Sequence, residues 1–166
     1  MSEQTESYIQ IGGQTVNAKA VPPMVDRRFR DQWKLNGSVI ELDQGKLAEV
    51  KTKLKAQLDE AAETQRMKSL TAGEGQTIVY QMKLMEAPAV RMGETNPANV
   101  PLLAASIGIE AATLADCAAL IMARWNSWKA TAGKIELARL AGKKAIDAAS
   151  SIQKAAEAFD AVTWPQ

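Results

Sequence analysis

The chain has 166 residues, 46% of them apolar but only 5% aromatic, and it sets 20 Lys and Arg against 19 Asp and Glu. That even balance argues against a protein that lives on phosphate backbones, which needs a basic excess. The sequence contains no histidine, so the commonest general base, proton shuttle and metal ligand are missing together, and a non-enzyme is expected.

Alanine supplies much of the apolar total, which favours close helix-on-helix packing over a bulky core and leaves room for a partner to complete the burial. No run approaches the roughly 18 apolar residues of a membrane span. The opening stretch lacks the basic start and apolar run of a secretory signal. Cys117 has no second cysteine to pair with, in keeping with a reducing site of synthesis. A soluble product made in the cytoplasm is expected, with no membrane and no nucleic acid among its partners.

Residues 7–11 (SYIQI) and 14–19 (QTVNAK) flank Gly12-Gly13 and read as a β-hairpin, because only glycine takes positive φ freely at both turn positions. Pro22-Pro23 ends the second strand. Asp26 then precedes Arg27 to Trp33, where Phe29 and Trp33, four apart, share a face of a short helix that Asp26 can cap. Asn36-Gly37 closes that segment, and residues 39–42 (VIEL) form a further short strand. Residues 1–42 are therefore read as a small α+β docking head, a hairpin plus a short helix, held by Tyr8, Phe29 and Trp33.

From Asp43 the pattern turns helical. A helix over 43–70 carries Leu47, Val50, Leu54, Leu58 and Ala61 at spacings of three and four, with Lys and Glu elsewhere. That is a narrow apolar stripe, the mark of a coiled-coil seam or a single packing face. Residues 71–75 (TAGEG) break the helix. A second helix over 76–90 bears Ile78, Tyr80, Met82, Leu84 and Met85, and Pro88 kinks or ends it. Residues 91–101 are a loop, and 102–107 a short helix stopped by Gly108. Thr113 with Asp116 approximates a capping box for a long helix over 114–149, open to a break near Gly133. A final helix over 152–162 follows Ser150-Ser151. The fold class is thus mainly α, the small head followed by a long-helix antiparallel bundle or coiled-coil body over 43–166.

No motif carries chemistry. Gly73-Glu74-Gly75 lacks the GxxxxGK[ST] of a P-loop and follows a helix rather than a strand. Asp59 and Glu63 are surface charges rather than a catalytic pair, and Cys117 is a small buried hydrophobe. Catalytic residues, cofactors and metal ligands are all expected to be none. Trp125 and Trp128 share one face of the long helix, either as core or as an anchor pair at an interface. Trp164 is either tucked onto the body or set against a partner.

The run Met67-Lys-Ser-Leu-Thr-Ala-Gly-Glu-Gly-Gln76, continued by Tyr80, Lys83, Glu86 and Ala87, resembles proteins of tailed bacteriophages and prophages, in which a Thr-x-Gly-x-Gly-Gln turn precedes Tyr-x-x-Lys-x-x-Glu-Ala on a helix. Residues 101–108 (PLLAASIG), 135–139 (IELAR), 143–146 (KKAI), Trp164-Pro165, and the N-terminal 26–33 and 36–41 are similar to the same proteins. The chain departs from them at Ala72, usually proline, and at Pro88, where the helix usually continues. The resemblance implies a tail or tail-fibre-associated protein and carries over no catalytic residue.

The expectation is a virion structural protein of a phage tail, made in the host cytoplasm, whose partners are other tail or fibre proteins and copies of itself, a trimer being favoured. Its partner-facing residues are expected to be Phe29, Trp33, Leu47, Val50, Leu54, Leu58, Trp125, Trp128 and Trp164. An assembly chaperone absent from the virion is the runner-up, and a cell-wall hydrolase a remote alternative.

Overall fold

The computed structural model describes residues 8–17, 21–22, 26–68 and 74–165. Strands β1 (Tyr8–Ile11) and β2 (Gln14–Asn17) pair antiparallel, Ile9 opposite Val16 and Ile11 opposite Gln14. Gly12 and Gly13 turn the chain with φ of 56° and 81°, the mirror-image geometry that matches strand twist. The expected ends of this hairpin at residue 7 and at residues 18 and 19 lie outside the described residues, as does Pro23.

The next segment differs from the expectation. Asp26 does cap it, accepting from the Arg28 N–H at 2.9 Å, but Arg27–Gln32 is a 3₁₀ turn interrupted at Phe29 (φ −106°, ψ 33°). Trp33 does not share a helical face with Phe29; it begins a strand. β3 (Trp33–Asn36) pairs with β4 (Val39–Leu42) in a second hairpin, Trp33 opposite Leu42 and Leu35 opposite Ile40. A run of six residues is too short to sustain an α-helix without tertiary support, and the Asn36-Gly37 turn draws the residues just before it into pairing.

Among the described residues the α-helices that follow are α1 (Leu47–Met67), α2 (Glu74–Arg91), α3 (Pro101–Ala104), α4 (Leu114–Ala148) and α5 (Ile152–Asp160). Asp43 caps a 3₁₀ turn over Gln44–Lys46 that leads into α1. The expected break at 71–75 falls mostly on residues 71–73, outside the described residues. Pro88, expected to kink or end α2, does not end it: the helix runs on to Arg91, and the proline leaves the Leu84 carbonyl without a helical N–H. The capping box before α4 is formed, with Asp116 N–H donating to Thr113 Oγ1 at 3.1 Å. α4 passes Gly133 unbroken. Ser151 Oγ caps α5 at Lys154.

The chain forms two compact units. The first comprises residues 1–58 and 141–162, the second residues 59–140 and 163–166. The head–body boundary expected at 42/43 falls inside the first unit, because two small hairpins cannot bury themselves alone. Their own cluster is Ile11, Val21, Trp33 and Ile40, with Ile9, Val16, Leu35 and Leu42 packed against it. Helical residues of the same unit supply the rest of its interior: Val50, Leu54 and Leu58 of α1, Ile146 of α4, and Ile152, Ala155 and Ala156 of α5 are all buried. Polar ties hold these pieces together. Lys51 Nζ donates to the Asp147 carbonyl at 2.8 Å, Lys55 Nζ to its carboxylate at 2.7 Å, and Ile152 N–H to Gln44 Oε1 at 3.0 Å. Arg28 forks onto Asp160 and back onto Asp26.

In the second unit Arg139 pairs with Asp59 at 2.7 Å and Arg66 with Glu136 at 2.6 Å. As α1 advances, its partners on α4 recede, so the two helices run antiparallel there. The apolar cluster of this unit joins Ala87 of α2, Val100 and Leu103 around α3, and Cys117, Ala118 and Ile121 of α4, with Tyr80, Val90 and Met122 beside it. Cys117 is buried in it, as expected of a small hydrophobe. Among the described residues no helix is long and apolar enough to cross a membrane.

Candidate protein-binding face

Helix α2 owes its unusual surface to where its charges go. Lys83 and Glu86, three apart, lie on one face, and both are turned into the second unit. Lys83 Nζ pairs with Glu110 at 2.6 Å, its side chain only 12% exposed. The Glu86 carboxylate accepts from the backbone N–H groups of Leu102 (3.3 Å) and Leu103 (2.8 Å), satisfying donors left orphaned at the start of α3. Glu110 also receives Arg124 at 3.1 Å. The Lys83 hydrogen bond above all, with the Arg124 charge behind it, holds the Glu110 carboxyl below the ordinary carboxylate range.

With those charges spent inward, the outward side of α2 is largely apolar, with Gln81 beside it. Ile78 is 55% exposed, Met82 49%, Met85 80% and Met92, just past the helix end, 83%. Met92 keeps the helical path because its N–H donates to the Pro88 and Ala89 carbonyls. With Gly75 and Ala89 these residues recur at spacings of three and four, the period of a packing seam. Exposed apolar stripes of this kind are often interaction surfaces.

A cleft of about 540 Å³ adjoins this stripe, lined by Thr77, Tyr80, Gln81 and Leu84 of α2 and by residues of α4 including Ile121, Arg124, Trp125, Ser127, Trp128 and Thr131. Trp125 and Trp128 stack in its wall, ring centroids 5.0 Å apart and planes inclined by 21°. Trp125 remains 38% exposed, so the pair is part of the unit's surface as well as its packing.

The other residues expected to face partners are placed differently. Phe29, Trp33, Val50, Leu54 and Leu58 are buried in the first unit at 9% exposure or less, and a side chain so covered has no surface left to offer. The stripe on α1 closes on its own chain; Ala62 is buried in it, whereas Leu47 and Ala61 are only partly so. Trp164 is partly buried. Ile78, Met82, Met85 and Met92 were not among the expected partner-facing residues. Their spacing is visible in the sequence, but it also fits an inward face, and the direction is settled by the burial of Ala87 together with the inward pairing of Lys83 and Glu86.

The chemistry of the remaining polar groups is that of pairing. Asp26, Glu94, Glu110, Glu136 and Asp160 are each displaced toward the charged form, in every case chiefly by a hydrogen bond from a neighbour. Among the described residues no cluster of His, Cys, Asp and Glu could hold a metal ion. Comparison with known proteins brings no relative to the chain: no family model, no curated protein and no solved structure matches it.

Proposed function

We propose that the chain is a structural component of a bacteriophage tail, a tail-fibre or baseplate-associated protein that acts by binding other proteins and not by catalysis. The observation that carries the protein-binding part is the outward apolar face of α2, with Ile78, Met82 and Met85 about half exposed or more while Lys83 and Glu86 are turned in. The tail assignment rests on the resemblance of residues 67–87, 101–108 and 135–146 to phage proteins. Paired carboxylates displaced downward in pKa suit ion pairing, whereas a general acid needs the opposite displacement.

The test is the protein composition of purified virions, made in the host and tailed to completion. Mass spectrometry should find this chain in the particle, with the tail fraction. Its absence from virions together with its presence in infected cells would transfer the same face to an assembly chaperone. Three methionines on that face favour this second reading over others, since methionine adapts to varied partners.

A further inference from the structure

We infer that the outward face of α2 pairs with the same face of a second copy of this chain, antiparallel across a two-fold axis between Met82 and Met85. The inference rests on the reading of this face as a protein-binding surface and names its occupant.

The seam runs Gly75, Ile78, Met82, Met85, Ala89, Met92, with Ala89 at its inner edge, half-buried and touching the unit's apolar cluster. Laid antiparallel about its centre, it sets Met82 of one copy opposite Met85 of the other, Ile78 opposite Ala89, and Met92 opposite Gly75. Every large side chain toward the ends meets a small one, and interdigitation of large with small fills a helix–helix layer without voids. In parallel register the same seam sets Ala89 on Ala89 and Gly75 on Gly75, leaving gaps, while Ile78 and the methionines crowd their own copies. The sequence of sizes is therefore complementary to its own reverse, as an isologous two-fold contact requires.

Charge points the same way. Between Gly75 and Ala89 the only charged residues are Lys83 and Glu86, and both are engaged within their own unit. Two such faces meet without burying a charge or opposing like charges, whereas a strongly charged partner would find nothing on this stripe to pair with. At the ~200 Å² that a large side chain presents, the four exposed residues offer on the order of 500 Å². A stable interface takes roughly 800 Å² from each partner. The face is thus of the size for a concentration-dependent dimer, with the adjoining Trp125 edge available to extend it.

The test is the solution mass of the full chain by light scattering over a wide concentration range, with Met82→Glu and Met85→Glu alongside. The wild-type chain should pass from monomer to dimer. Either substitution should raise the dissociation constant at least about tenfold by opposing carboxylates across the axis, with the thermal melt of the monomer unchanged because both side chains are exposed. Oxidised mixtures of Ile78→Cys and Ala89→Cys copies should give the mixed disulfide-linked dimer in preference to either like pair. A wild-type chain monomeric throughout, a trimer, a dimer indifferent to both glutamates, or efficient Ile78→Cys self-linking would each overturn the inference. A monomer found in purified virions would overturn self-pairing and leave the tail reading intact; a dimer missing from virions would do the reverse.

Discussion

Helices α1 and α2 carry the same kind of apolar pattern and use it in opposite ways. On α1, Val50, Leu54 and Leu58 face inward and are at most 3% exposed, and its lysines reach out to Asp147. On α2, Ile78, Met82 and Met85 face outward, while Lys83 and Glu86 turn inward beside Tyr80, Ala87 and Val90. A 3–4 spacing says that a helix has an apolar face; it does not say that this face looks into its own unit. The burial of a charge is tolerated only where partners wait for it, and on α2 they do: Glu110 for Lys83, and two free backbone N–H groups of α3 for Glu86.

The largest expected effect tests the inward face. Leu58→Ala removes a side chain 1% exposed and should cost about 2–5 kcal/mol, lowering Tm on the order of 10 °C. Met85→Ala on the outward face should stay within about 0.5 kcal/mol in a dilute thermal melt; equal losses would erase the contrast. Gly142→Ala comes next. Its Cβ would stand 2.7 Å from Val162 Cγ2 and 2.8 Å from Leu58 Cδ2, so overpacking of about 1–3 kcal/mol should outweigh the helical gain. Gly133→Ala in the same helix meets nothing within 4 Å and should instead stabilise by about 0.4–1 kcal/mol, measured in the same denaturant series.

Glu86→Ala sharpens the other half of the comparison. Leaving the N–H groups of Leu102 and Leu103 without their acceptor should cost about 1–2 kcal/mol, with hydrogen exchange at those two amides rising first. The smallest effect is that of pH. Asp26, Asp160 and Glu110 are held below their ordinary values of 3.8, 3.8 and 4.5, so at acid pH the unfolded chain binds more protons than the folded one. Their contribution is complete above the ordinary values and disappears as pH falls through the lowered folded ones. With no histidine in the chain, Tm should be nearly flat between about pH 5 and 8 and should drop below about pH 4.

Much of the fold is legible in the residues themselves. Gly12-Gly13 announces its hairpin, Thr113 and Asp116 announce the start of α4, and Ser151 that of α5, because caps and tight turns are decided by atoms within three or four residues. The strand beginning at Trp33 was not legible: its pairing with Leu42 is a choice between local helix and a distant partner, and four residues of sequence do not decide it. Glycine shows the same division. Gly133 and Gly142 look alike as helix weakeners, yet only Gly142 lies where Leu58 and Val162 leave no room for a side chain.

The sequence by itself determined a mainly helical chain with a β-rich start, the positions of its caps, and a composition without histidine. These follow from local backbone preference and from composition. Only the tertiary structure decided which apolar stripe is closed and which is open. Residues near 50 find residues near 150 to cover them, whereas the stripe from Ile78 to Met92 has its apolar side to solvent, because its own unit takes up the other side of α2, with Ala87, Lys83 and Glu86.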